Sequence, residues 1–179
     1  HILKHLSQPV CQVQPQQVPW PSSGGLLTVQ TFLPYPNFCQ SAKCLDWRRL
    51  GKQRLEAKQI LRRLFKIVVD NYSHHPAVLM WDGYEFSLGA YALCVCDEWS
   101  SRGYVDNTAK EIMELFRFHI NPNEQYCPPP WFGLPAFHSM HRSVLLAKAP
   151  THYSQFGWEE APAVRNSRGK FDYIWPRNS

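Results

Sequence analysis

Glu56 sits inside a run of cations: Arg48, Arg49, Lys52 and Arg54 lead up to it and Lys58 follows. A carboxylate so placed is commonly an ion-pair partner. The chemistry it offers is that of an acid/base group held ionised by its neighbours and able to move a proton at a nucleic-acid sugar. Histidines form a second group. His74 and His75 precede Pro76, and His138 and His141 are spaced to share a helix face. Together these could be metal ligands, but His-x-x-His without a HExxH pattern is a weak signal for a metal. Hydrogen-bonded loop and cap histidines are the plain reading, and a phosphate or substrate contact by His75 or His141 is the functional one. Aromatic side chains beside cations are a third group: Trp47 next to Arg48 and Arg49, then Trp131, Phe132, Tyr153, Phe156 and Trp158. Such side chains stack on unpaired bases or fill a core. The sequence holds no P-loop, GxGxxG or GxSxG, so nucleotide hydrolysis and serine hydrolase chemistry lack support.

The element that must position these groups is LDWRRLGKQRLEAKQILRRLFKIVV, Leu45 to Val69. The spacing predicts one long amphipathic helix, with Leu50, Ile60, Leu61, Leu64, Phe65 and Val68 on its buried face. From Asp46 to Lys66 it carries eight cations and two acids, a local charge of +6 in a chain of net +5, so everything else sums to −1. Like-charge pairs at i,i+4 (Arg48/Lys52, Arg54/Lys58, Arg62/Lys66) cost roughly 0.3 kcal/mol each. A polyanion relieves that repulsion and gains from counterion release. The alternative is a solvated face without a partner.

Length and composition set the frame. The 179 residues suit one domain with a tail, and 44% hydrophobic content is enough for a core. Seven Trp, eight Tyr and ten Phe make that core aromatic. No apolar run reaches the length of a membrane span. The six cysteines show no CxxC pair. They read as reduced, small apolar residues rather than a disulfide framework. Residues 1–29 are a separate zone, an extended arm rich in Pro and Gln that ends in a Ser/Gly hinge, with no acid before Asp46. The chain starts on His, which suggests processing, truncation or an incompletely known start. An organellar precursor with its address removed fits this lead segment, as does an arm that wraps a partner. The expected setting is intracellular and reducing, with mitochondrion and plastid as options.

The globular part, 30–179, is expected to be all-α: a compact bundle of about four helices with an irregular aromatic C-terminal wrap. Val29 to Leu33 is a short β-prone run stopped by Pro34 and Pro36. Asn37 or Ser41 can open a helical turn. A second helix is expected over Pro76–Arg102, its buried stripe including Val78, Trp81, Leu88, Ala92, Val95 and Trp99. Gly83 and Gly89 in it suggest close packing on another backbone. Thr108 and Glu111 form a capping-box pattern opening a helix over about 109–120. A polyproline turn follows Tyr126, and a fourth helix spans His138–Lys148.

Several motifs occur in one order: QTFLPYPNF from Gln30, CLDWRRLGKQRLE from Cys44, HPAVLMW from His75 with Gly83 and Glu85 beyond it, CDEW from Cys96, PPWFG from Pro129, FHSMHRS from Phe137 and YSQFGW from Tyr153. Over roughly 30–176 the chain resembles a small bacterial and phage family described as similar to pyrimidine-dimer DNA glycosylases of the phage endonuclease V type. The resemblance implies a compact all-α fold that binds DNA. It also implies a nucleophile, the free α-amine of the residue after the initiator Met, which forms a Schiff base with deoxyribose assisted by a glutamate on the first long helix. By position, Gln30 or Thr31 supplies the amine and Glu56 the carboxylate. Arg48, Arg49, Lys52, Arg54, Lys58, His75, His141 and Arg142 are the candidate nucleic-acid contacts. Neither motifs nor resemblance require a metal or cofactor.

The chain departs from the family pattern at its start, since thirty residues precede Thr31 and its nitrogen is an amide. It departs again after His141, where the family carries Asn and then Arg-Lys-Asp; here Val144 and Ala147-Lys-Ala149 stand instead, as on a surface that packs on something. The principal expectation is a glycosylase-like domain with its catalysis impaired, binding DNA or RNA through the basic helix. The alternatives are a structural subunit of a large organellar assembly, and an active glycosylase/lyase released by cleavage near Gln30 or using a side-chain nucleophile such as Lys52.

Overall fold

In the computed structural model, residues 29–176 are described, and the rest of the arm lies outside them. Among the described residues, seven α-helices run α1 (Phe38–Cys44), α2 (Trp47–Leu64), α3 (Pro76–Leu79), α4 (Glu85–Ser101), α5 (Thr108–His119), α6 (Pro135–Lys148) and α7 (Pro150–Tyr153). No strand occurs among them, so the fold is all-α, with four long helices and three short ones. No described helix is long and apolar enough to cross a membrane.

The long basic helix starts later and stops earlier than its periodicity suggests. Asp46 caps α2, its side chain accepting from the Arg48 and Arg49 amides. At the other end Lys66 adopts φ 57°, its amide donates to the Arg63 carbonyl, and the Ile67 amide donates to the Arg62 carbonyl. That is a Schellman closure with lysine where glycine is usual, and it ends the helix before the β-branched Ile67, Val68 and Val69. The expected Pro76–Arg102 helix is likewise two. Gly83, at φ 78°, turns the chain between α3 and α4.

α4 lies at the centre, against α1, α2 and α5, and is buried nearly all round, from Ser87 to Cys96. Gly89 is what lets α5 approach, because a Cβ there would stand 2.0 Å from the Phe116 ring. The Thr108/Glu111 capping box does not form. Asp106 does that work, accepting from the Thr108 and Ala109 amides. One expectation about sulfur is overturned: Cys39 on α1 and Cys94 on α4 form a disulfide, while Cys44 and Cys96 stay as buried thiols.

Residues 29–33 belong to no helix or strand and a bend starts at Pro34, so their backbone groups must be satisfied otherwise. Side chains from the helices do this. Gln53 Oε1 accepts from the Phe32 amide (2.9 Å) and Gln53 Nε2 donates to the Gln30 carbonyl (2.7 Å). The Tyr91 hydroxyl lies 2.6 Å from Gln53 Oε1 and 3.1 Å from the Phe32 carbonyl. Trp81 Nε1 donates to Thr31 Oγ1, and Arg142 Nη1 donates to the Pro34 carbonyl. His138 takes the Gly133 amide on Nε2, so its Nδ1 carries the proton and donates to the Leu33 carbonyl at 2.7 Å. The C-terminal segment then wraps back irregularly. The Tyr153 hydroxyl donates to Asp46 Oδ2, Trp158 Nε1 donates to the Tyr35 hydroxyl, and Phe171 and Trp175 are buried.

Candidate functional site

Between the start of α2, the extended segment and the C-terminal wrap lies a cleft of about 640 Å³. Among the described residues, seven cations line it: Arg48, Arg49 and Lys52 from α2, Lys148 from the end of α6, and Arg165, Arg168 and Lys170 from the wrap. Three acids oppose them: Asp46, Glu56 and Asp172. The cleft is a cationic surface with a buried carboxylate in it.

That carboxylate is Glu56, 6% exposed. Its Oε2 accepts from Gln53 Nε2 at 2.7 Å and from the Gln30 amide at 3.4 Å, while Oε1 lies 3.4 Å from Lys52 Nζ. Burial pushes its carboxyl up to about 7, against the pull of the Lys52 ammonium and the Gln30 amide. A carboxyl there exchanges a proton near neutrality. The nitrogen beside it belongs to Gln30. Thr31 is fully buried, and its amide donates instead to Gln30 Oε1 at 2.9 Å.

The predicted contacts divide. Arg48, Arg49, Lys52 and His75 line the cleft with Glu56. Arg48 lies 5.2 Å over the ring of Trp47, which is 56% exposed. His75 caps α3 through Nδ1 and meets Trp175 edge-on. Arg54 and Lys58 do not line it: Arg54 pairs with Asp106 and covers Trp99, and Lys58 pairs with Glu111. His141 is 1% exposed, packed against Phe32 and Phe137, and burial pushes it down to about 3, so it is a neutral core residue. Arg142 pairs with Glu160. Val144 lies in the chain's own core, so this apolar replacement is accounted for without a partner. No group of three or more His, Cys, Asp or Glu placed to hold a metal occurs among the described residues.

Sequence reasoning passed over Gln53, the clamp that sets Gln30 beside Glu56, and over Lys148 and the wrap cations. Arg165, Arg168 and Lys170 lie close together in sequence, a visible signal; Gln53 gave none.

No curated protein and no solved structure matches the chain. A family model does, the one described as pyrimidine dimer DNA glycosylase, over residues 29–112. That stretch includes Gln30, Gln53 and Glu56 and stops short of Lys148 and the wrap. Across it the chain resembles the pyrimidine dimer DNA glycosylases, and its helical domain is DNA glycosylase-like.

Proposed function

We propose that this domain binds damaged DNA across the cleft, and that base removal by a free α-amine is closed to it while Gln30 is joined to Val29. The observation that carries this reading is the Gln30 nitrogen 3.4 Å from Glu56 Oε2, within a cleft lined by seven cations. In the resembled family a glutamate on the first long helix assists the α-amine. An amide nitrogen shares its lone pair with the carbonyl, so it cannot attack a sugar carbon. Binding asks less: Arg48, Arg49 and Lys52 from α2 and Arg165, Arg168 and Lys170 from the wrap can neutralise phosphates, and Trp47 offers a face for a base.

The test has two arms. Fluorescence anisotropy with duplex DNA should show affinity falling linearly with salt on a log–log plot, at a slope of about −0.9 per phosphate neutralised. A flat response, or no binding, removes the reading. In the second arm a protease site is placed between Val29 and Gln30. The uncut chain should leave ultraviolet-irradiated duplex intact and the cut chain should nick it. Equal nicking by both would show that acylation of Gln30 is irrelevant.

A further inference from the structure

Lys148 closes α6, and its Nζ reaches between two rings, 6.0 Å from the centre of Phe32 and 5.3 Å from that of Phe171. It lines the same cleft as Gln30 and Glu56. Arg49 has Asp46 within 4.0 Å and Lys52 has Glu56, but Lys148 has no ion pair among the described residues. Its surroundings work against the ammonium. Burial comes first, then the positive charges of Arg49, Arg165 and Lys52; Glu56 opposes them, and the net effect is a lowered pKa. The ring faces favour the cation, but burial and three like charges prevail. A lysine desolvated among apolar groups and crowded by other cations is the usual setting of an imine-forming amine. Lys52 is in the opposite setting, its side chain 60% exposed and tied to Glu56.

We propose that Lys148 supplies the amine that captures the aldehyde of an abasic site in DNA, forming an imine between its Nζ and C1′ of the opened deoxyribose. This rests on the cleft being a DNA-lesion site. The neutral Nζ adds through its lone pair to C1′, and the carbonyl oxygen takes up a proton. The carbinolamine then loses that oxygen as water, leaving an iminium ion. Glu56 is the group in the cleft that can give and receive those protons, since burial holds its carboxyl near neutrality. With C1′ as iminium, the C2′ proton passes to a base. The C–H electron pair forms the C2′–C3′ double bond, and the C3′–O bond breaks with its pair leaving on the phosphate. No oxidant or reductant is consumed. An intact nucleotide presents no aldehyde, so Lys148 acts on a sugar whose base has already been removed.

The test is reductive trapping. The full chain is incubated with a duplex carrying one abasic site and sodium cyanoborohydride, and the adduct is mapped by peptide mass spectrometry. In parallel, anisotropy measures binding to a duplex carrying a tetrahydrofuran abasic analogue, which cannot form an imine. The expected result is an adduct on Lys148 that falls at least about 100-fold in both Lys148→Arg and Lys148→Met. Lys148→Arg should keep the wild-type denaturant midpoint, showing that it is folded. An adduct on Lys52 or another amine, undiminished in Lys148→Arg, overturns the proposal. So does binding of the analogue without any adduct, an outcome that leaves the DNA-binding reading standing. Failure of the wild-type chain to bind the analogue overturns both.

Discussion

Replacing Glu56 by Gln should make the protein more stable at neutral pH while removing the buried carboxyl from the cleft. Glu56 is 6% exposed, and burial raises its carboxyl from an ordinary 4.5 to about 7. A raised folded-state value means the folded protein holds the proton more tightly than the unfolded chain. The favourable contribution is therefore complete below pH 4.5 and is lost as pH rises through 7. The loss is worth about 3 kcal/mol. The introduced amide oxygen can still accept from Gln53 Nε2 and the Gln30 amide, and Lys52, mostly exposed, can turn to water. Chemical unfolding of both proteins at pH 4.5 and pH 8 provides the assay. The stability difference should move in favour of Glu56→Gln by about 3 kcal/mol between the two, at unchanged m-value. Taking the difference cancels every other titrating group. A constant difference would mean Glu56 titrates as if in water, and the desolvated carboxyl on which both proposals draw would not exist. A shift in the opposite direction would mean that Lys52 and the Gln30 amide outweigh burial. If the proposed role of Glu56 is right, a gain in stability from removing its charge is what a site strained for chemistry should show.

Four further outcomes are expected. Gly89→Ala drives a methyl into Phe116, whose ring would lie 2.0 Å away, and should cost about 1–3 kcal/mol by denaturant midpoint, partly recovered by a second substitution, Phe116→Leu. Asp106→Asn leaves Arg54 nearly buried without its carboxylate and should cost about 3 kcal/mol. Burial raises the Asp106 carboxyl, but the Ala109 amide and Arg54 outweigh it and hold it low, so the contribution is present above pH 3.8 and lost as pH falls through the folded value; the variant's acid-unfolding limb should be flatter. Reducing Cys39–Cys94, which closes a separation of 55 residues, should lower stability by about 2–4 kcal/mol in guanidinium titrations with and without reductant, and Cys39→Ser should abolish the difference. Arg168→Ala and Lys170→Ala should each reduce the salt slope of DNA binding by about 1, whereas Lys58→Ala, outside the cleft, should leave it unchanged.

Periodicity located the four long helices, because apolar spacing is a local property and each helix buries one stripe. It failed where the decision is made by one residue's backbone or by a partner far along the chain. Nothing in Lys66 announces a left-handed conformation. Thr108 and Glu111 look like a capping box, but Asp106 lies nearer the orphan amides. Cys39 and Cys94 meet only after α1 has packed on α4. The concentrated charge of α2 misled for the same reason. Arg54, Lys58 and Arg63 take Asp106, Glu111 and Asp70 as partners, none of them on α2. Only the first part of the helix lines the cleft, and the wrap adds Arg165, Arg168 and Lys170. In the candidate site Glu56 was legible because a lone acid among cations stands out. Gln53 was not, since a glutamine that clamps a backbone looks like any helical glutamine.

The clamp also explains how geometry and reactivity can part company here. Gln30 is held beside Glu56 by bonds to its neighbours: Gln53 takes its carbonyl and the Phe32 amide, Trp81 takes Thr31, His138 takes Leu33 and Arg142 takes Pro34. None of these needs a chain end at Gln30. Residues can therefore precede it without moving the nitrogen from the carboxylate, yet acylation removes the lone pair that would make it a nucleophile. A cleft in that condition keeps its cations, its desolvated acid and its shape, and lacks only a free α-amine at Gln30. Lys148 lies in that cleft among the charges and rings that surround its ammonium, and burial with like charge disfavours its proton. An amine on a side chain is indifferent to what precedes Gln30, so capture of an abasic aldehyde tolerates an N-terminal extension that attack by the α-amine does not.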